Sequence, residues 1–212
     1  EKYLNSVKKI GNFLILSQMP QPQPGWAQQY NYNLQPIWAR KFEPPGISGD
    51  ETQEAIETLL DIVEYTKDSK YLKPIPSAIA WLKDSQLPNG QLARYYELKT
   101  NRPLYMQRQG KVYSLTYDDS NLPAHYGWKT DAHIKELEQR VKLVKGGKQL
   151  AQWSDADLEM RVQRILAQLD SSKRWMTVSK GERLVGQPKI HEGMSYLSSE
   201  VFSNNLSLLS QY

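Results

Sequence analysis

The sequence predicts an all-α protein, an (α/α) toroid of repeated helical hairpins, on two observations. Amphipathic helical spacing recurs along most of the chain, and one phrase occurs twice, as SQMPQPQPGWAQQY at 17–30 and SQLPNGQLARYY at 85–96. The copies run at an offset of 68 residues until a two-residue gap, and each follows an amphipathic helix. Helix, Pro-rich turn, short polar extended segment and helix form a hairpin unit, and recurrence of such a unit marks a repeat architecture. Hairpins whose polar turns gather on one face close into a ring. A ring needs more hairpins than this chain begins with, so the toroid is expected to be incomplete on its N-terminal side.

Leu4, Val7, Ile10 and Leu14 fall at steps of 3, 3 and 4 and place a helix over 3–16. Pro20, Pro22 and Pro24 stop it. Residues 26–50, WAQQYNYNLQPIWARKFEPPGISGD, read as extended chain and turns. Ser48 and Glu51 have capping-box spacing and open a helix to about Thr66, with Ile56, Leu59, Leu60 and Val63 on its apolar face. The next helix spans about Tyr71 to Gln86, with Pro74 and Pro76 tolerated in its first turn, and stops at LPNG. Residues 110–129 alternate and turn like a hairpin or long loop. Helices resume over 131–145, on Ile134, Leu137, Val141 and Val144, and over 155–170, where Ser154 and Asp157 form a cap and Leu158, Val162, Ile165 and Leu169 face inward. WMTVSKGERLVG is a short strand or loop, and Ser199 is expected to cap a last helix carrying Phe202, Leu206 and Leu209. Without a low-complexity linker, 1–212 reads as a single domain, with a soft boundary near Lys145–Gly147.

A hydrophobic fraction of 39% and a charged fraction of 24% describe a globular chain with a sizeable core. No run of about 18 apolar residues is available to span a membrane. The formal charge of +4 suits an acidic polysaccharide or nucleic acid. The sequence has no cysteine, which excludes disulfides, thiolate zinc sites and a thiol nucleophile. His125, His133 and His191 show no metal-ligand spacing, and GKVYS and KGGK lack the spacing of a phosphate loop.

The chemistry concentrates in QLARYYELKTNRPLYMQR, Gln91 to Arg108. Arg94, Lys99, Arg102 and Arg108 are interleaved there with Tyr95, Tyr96 and Tyr105, against one acid, Glu97. Guanidinium forks grip carboxylates in bidentate fashion and flat side chains support rings, so this pattern suits a polyanion built of rings. The same composition also describes a solvated basic hairpin whose tyrosines are half core. Trp26, Trp38 and Trp128 lie in turn-rich segments, where they stack on sugars or pack in the core. Asp50 and Glu51 read as a helix cap, and Asp118 and Asp119 as a solvated turn or as oxygen ligands for calcium.

LARYYELKTNRPLY, together with WAQQYN, IWARKFEPPGISGDE and the pair SQMP and SQLP, resembles the catalytic domain of the pectic acid lyases of polysaccharide lyase family 10. The similarity runs from about Glu1 to Lys129 and is also seen in GERLVGQP and SSEVFSNNLSLLSQY. The resemblance implies a secreted or periplasmic pectate lyase that cleaves polygalacturonate by calcium-assisted β-elimination. The alternative is a catalytically incomplete fragment that binds acidic polysaccharide. It implies Arg108 as the general base, fourteen residues after Arg94, with Arg40 and Arg94 holding substrate carboxylates. Arg102, Lys99, Asn101 and Tyr96 complete the implied substrate contacts. All four arginines are expected on one face. No nucleic-acid, membrane or obligate protein partner is implied.

The implied reaction removes the proton at C5 beside an ionised carboxylate and expels the C4 oxygen. It builds a second negative charge on the same group, so its transition state needs metal ions or guanidinium groups around it. Arginine is ordinarily always protonated, and a base role requires other cations nearby, for which Arg94, Arg102 and Lys99 are the candidates. Two departures from the family pattern stand out. About fifteen residues after Arg108, where a further arginine is implied, the chain reads LPAHYG, leaving His125 as a weak substitute. The Asp-Asn pair and the Asp of the implied calcium site belong to hairpins N-terminal to this sequence, so the metal ligands stay open and the chain alone is expected to show little or no lyase activity.

Overall fold

The computed structural model describes residues 1–147, 154–181 and 190–212. They group into two compact units, Glu1–Leu150 and Ala151–Tyr212, divided close to the soft boundary at Lys145–Gly147.

The all-α toroid does not form. The first unit is mixed α/β, with helices joined through a five-stranded antiparallel sheet. Its elements are α1 (Lys2–Ser17), β1 (Trp26–Ala27), β2 (Gly46–Ser48), α2 (Gly49–Thr66), a 3-10 turn at Ser69–Leu72, α3 (Ile75–Asp84), β3 (Leu92–Ala93), β4 (Tyr95–Glu97), β5 (Pro103–Gln109), β6 (Val112–Thr116), β7 (Lys129–Thr130) and α4 (Ile134–Lys145). The sheet runs β1-β2-β4-β5-β6, and β3 pairs with β7 beside it. The segments read as extended chain and turns, and as a hairpin or long loop, are paired with one another as strands. Lys99 (φ 73°) and Asn101 (φ 57°) reverse the chain between β4 and β5, and Gly110 (φ 60°) reverses it between β5 and β6. Positive φ is the geometry that Gly and Asn accept most readily, and it brings the flanking strands into register.

The repeated phrase has a structural counterpart. The Ala27 N–H donates to the Tyr30 hydroxyl at 2.6 Å, and the Ala93 N–H donates to the Tyr96 hydroxyl at 2.8 Å. Each copy follows a helix, forms a two-residue strand and pairs with a strand that leads into the next helix, β1 with β2 before α2 and β3 with β7 before α4. In the second copy β4 begins within the phrase itself, and β5 and β6 follow it before β7.

The helical periodicities hold on α2 and α4, whereas of Leu158, Val162, Ile165 and Leu169 only Val162 is buried, and Phe202 and Leu206 are exposed. Ile56, Leu59, Leu60 and Val63 of α2 are buried, as are Ile134, Leu137, Val141 and Val144 of α4. The Ser48 hydroxyl accepts from the Glu51 N–H at the start of α2. Between Thr66 and α3 the chain makes the separate 3-10 turn, so α3 begins later than its spacing suggested. On α1, Ile10 stays half-exposed while Gly11 faces inward, because a Cβ at Gly11 would lie 2.4 Å from the Tyr71 ring. A Cβ on Gly49 would lie 2.6 Å from the Ala93 carbonyl oxygen, so the start of α2 presses directly on β3. That contact sets Asp50 and Glu51 beside Arg94.

The second unit holds α5 (Asp155–Ala167), a β8 (Met176–Val178) and β9 (Ser195–Leu197) ladder, and α6 (Ser199–Leu209). Ser154 caps α5 by accepting from the Asp157 N–H, whereas α6 is capped by Ser198 and not by Ser199. Trp175 donates from its indole nitrogen to the Ile165 carbonyl at 2.7 Å and meets the Phe202 ring at 6.1 Å. Residues 182–189, most of GERLVGQP, lie outside the described residues. No helix among the described residues is long and apolar enough to cross a membrane.

Candidate functional site

Arg94 lies between β3 and β4, its backbone N–H tied to the Trp128 carbonyl at 2.8 Å. Its Nη1 bonds Asp50 and its Nη2 bonds Glu51 Oε1 at 2.6 Å, both carboxylates coming from the first turn of α2. A helix N-terminus favours acids there, so the same two residues serve the helix and the guanidinium. Burial works against the Arg94 charge, but Glu51, Tyr126 and Asp50 outweigh it and raise its pKa. Its buried Nε finds no acceptor among the described residues.

Arg40, in the 26–50 segment, bonds Glu43 through Nη2 and through Nε at 2.7 Å. The Arg40 side chain is 63% exposed, whereas that of Glu43 is 3% exposed. The hydrogen bond from Arg40 lowers the Glu43 pKa from its ordinary 4.5 to about 2, overcoming burial, with Tyr126 and Gln28 as further donors.

Tyr126 joins the two arginines. Each guanidinium carbon lies 5.4 Å from the centre of its ring. Its hydroxyl donates to Glu43 at 3.0 Å and sits 2.8 Å from that of Tyr95, which donates to Gln28 Oε1 at 2.6 Å. Burial pushes both phenols above their ordinary range, so neither supplies a phenolate base near neutrality. Phe42 packs on Tyr126 at 5.0 Å and on Tyr113 at 5.4 Å. Arg108 stands opposite Tyr113 across the β5–β6 ladder, with its guanidinium carbon 5.5 Å from that ring. Arg40, Arg94 and Arg108 are thus linked by one aromatic run, Tyr126–Phe42–Tyr113.

Arg102 lies one residue before β5, an even number of steps from Arg108, so alternation puts both on the same face of the hairpin. Its guanidinium carbon is 3.5 Å from the Tyr117 ring centre. Neither Arg102 nor Arg108 has an acidic ion-pair partner among the described residues; Arg108 Nε donates to the Gly110 carbonyl at 2.7 Å. Lys99 is exposed in the β4–β5 turn. Asn101 and Tyr96 serve the fold. Asn101 accepts from Trp81 Nε1 at 2.8 Å and Gln23 Nε2 at 3.0 Å and donates to Ser85 Oγ at 2.8 Å, and Tyr96 is 1% exposed with its hydroxyl bonded to the Ser85 carbonyl. Both side chains are engaged by hydrogen bonds within the protein.

Trp26 and Trp128 are core residues, donating to the Leu14 and Pro123 carbonyls, while Trp38 is half-exposed beside Arg40. The candidate calcium ligands are occupied. Asp50 and Glu51 hold Arg94, Asp118 accepts from Ser120, and Asp119 pairs with Lys129 at 2.6 Å. Among the described residues no group of three or more His, Cys, Asp or Glu converges. Calcium needs several oxygens around one point, and the described residues do not gather them. His125 contacts the Tyr113 hydroxyl at 3.1 Å and the Phe42 ring at 4.9 Å, the rings over which the Arg108 and Arg40 guanidiniums lie. Sequence reasoning missed Glu43, Gln28, Tyr126 and Tyr113. For Gln28 a signal existed, since the repeat aligns Gln28 with Arg94 just as it aligns Tyr30 with Tyr96.

No protein-family model matches the chain, and no curated protein matches it.

The Glu43 geometry has a consequence in acid. Its folded pKa lies below its ordinary value, so its contribution to stability is complete above about pH 4.5 and is lost as pH falls toward 2. Urea midpoints measured across that window should fall more steeply for the natural protein than for Glu43→Gln. Parallel curves would show that the pair contributes nothing to folding.

Proposed function

We propose that this chain binds polygalacturonate and is the substrate-holding part of a pectate-lyase-type protein, akin to polysaccharide lyase family 10 and acting outside the cytoplasm. The observation that carries the reading is the aligned pair Arg102 and Arg108, each over a tyrosine ring and neither in a direct ion pair among the described residues, although Glu97 lies close enough for the Arg102 charge to help lower its pKa. A guanidinium with no carboxylate of its own gives up no ion pair when it takes one from a uronate, and the ring beneath it offers a flat face to the sugar. Arg40 adds a third grip. Glu43 occupies the edge formed by Nε and Nη2, leaving Nη1 on an exposed side chain for a second acceptor.

In the lyase reading Arg108 takes the C5 proton while Arg40 and Arg94 hold carboxylates. The geometry favours gripping over proton abstraction. Six residues of strand separate Arg102 from Arg108 by roughly 20 Å, beyond a screening length of about 8–10 Å, and Lys99 lies at the same far end. The neighbouring cations that an arginine base requires are therefore not supplied from that side. In this reading calcium is held by ligands that the described residues do not supply.

Titration calorimetry with polygalacturonate, alongside absorbance of unsaturated uronide with calcium and then chelator, tests the proposal. Binding with little or no turnover is expected, and single-stranded DNA should not displace the polysaccharide. No binding would sink the reading. Strong, chelator-sensitive turnover would instead establish a working lyase and point to Asp118 and Asp119.

A further inference from the structure

A second recess adjoins the arginine face. It is a cleft of ≈ 1040 Å³ between α1, the turns after β1 and the start of α2, walled by Phe13, Trp26, Tyr30 and Tyr32. Its volume is at the upper end of the range, roughly 300–1,000 Å³, typical of clefts that enclose small ligands. Tyr32 is fully exposed, and Phe13 is half-exposed and meets the Tyr30 ring edge-on at 6.2 Å. The charges differ in kind from those next door. Glu51 and Glu54 line the cleft and no Lys or Arg does. Burial and the nearby Asp50 and Glu51 carboxylates hold Glu54 above its ordinary range, as expected where anions crowd. On the other side of Gln28 and Gln29, which line both recesses, lies a cleft of ≈ 590 Å³ that contains Arg40, Glu43 and Trp38.

We propose that the Phe13–Tyr32 cleft is a subsite for an uncharged sugar ring, so that the protein prefers a chain in which ionised uronates on the arginine face are followed by a neutral or methyl-esterified residue. The inference rests on the polygalacturonate reading and adds a specificity to it. Aromatic walls suit the apolar face of a pyranose, and the exposed Gln29 is an uncharged polar residue in the lining. A uronate carboxylate placed there would meet Glu54 with no lining cation to offset the repulsion, whereas an ester or a hydroxyl would not. The shared Gln28–Gln29 wall makes the two recesses neighbours along one path.

The test uses the full chain and three oligosaccharides of equal length in calorimetry: fully ionised oligogalacturonate, its half-methyl-esterified form, and neutral galactan. The half-esterified form should bind at least fivefold more tightly than the ionised form. Phe13→Ala with Tyr32→Ala, both surface positions, should erase that gain and leave affinity for the ionised form unchanged. Glu54→Lys should reverse the preference. Galactan binding that is lost in the aromatic double variant would assign the subsite to any neutral ring, whereas binding confined to the ester would assign it to the methyl ester; both support the subsite. Equal affinities for ionised and esterified forms, with no response to Glu54→Lys, would overturn this inference while leaving the polygalacturonate reading intact. Failure of the ionised form to bind would overturn both.

Discussion

Asn101→Ala is expected to lower the free energy of unfolding by about 3 kcal/mol. Two costs combine. The Asn101 side chain accepts from Trp81 and Gln23 and donates to Ser85, tying the β4–β5 turn to the end of α3 and to the turn after α1. Truncation strips the Trp81 indole N–H of its acceptor, and a buried donor left unpaired costs about 1–3 kcal/mol. Asn101 also holds φ 57°, where an alanine Cβ crowds the following carbonyl at about 1–2 kcal/mol. Asn101→Gly separates the terms, because glycine tolerates the backbone but also loses the hydrogen bonds. Urea unfolding should rank the natural protein above Asn101→Gly, and Asn101→Gly above Asn101→Ala. Unchanged stability combined with weakened polygalacturonate binding would return Asn101 to the contact set that the resemblance implies.

Asn101 illustrates how the sequence was legible. The helices were readable because their apolar positions recur at 3.6-residue spacing over about two turns or more, as Ile56, Leu59, Leu60 and Val63 do. The repeat was readable from its wording. The sheet was not, and its dimensions explain why. Trp26–Ala27 and Leu92–Ala93 are two residues long, too short for alternation to appear, and in β5 Leu104, Tyr105 and Met106 are buried in succession, which hides the period of two. Pairing of strands far apart in sequence then turned a string of hairpin turns into a mixed α/β unit. The site divided in the same way. A cationic, tyrosine-rich composition singled out Arg94, Arg102 and Arg108, but composition cannot say which cations already have partners. Asp50 lies 44 residues from Arg94, where α2 packs against β3, and Tyr126 lies 83 from Glu43, so both meetings depend on tertiary packing.

Arg102→Ala combined with Arg108→Ala should weaken polygalacturonate binding on the order of thirtyfold, with no change in the urea midpoint. Neither side chain makes a direct ion pair among the described residues, and Glu97, the carboxylate that the Arg102 charge reaches, keeps its hydrogen bonds from Thr100 and Tyr117, so removing both arginines leaves the β5–β6 ladder untouched. Their exposure sets the size of the effect. Solvent-exposed ion pairs contribute up to about 1 kcal/mol each, and two such contacts correspond to roughly thirtyfold in affinity. Arg94→Ala should behave differently. It leaves Asp50 and Glu51 unpaired at the start of α2, so stability should fall by about 2 kcal/mol along with any loss of binding. Ionic strength gives a second readout. Affinity of the natural protein should drop as salt rises from low to physiological strength, and the double variant should respond less, because the screened contacts are the ones it lacks. If the double variant bound as tightly as the natural protein, the exposed hairpin face would not be the surface that meets the polymer. The grip would then belong to Arg40 and Arg94 about Tyr126, and uronates would have to compete with Glu43, Asp50 and Glu51 for guanidiniums that are already paired.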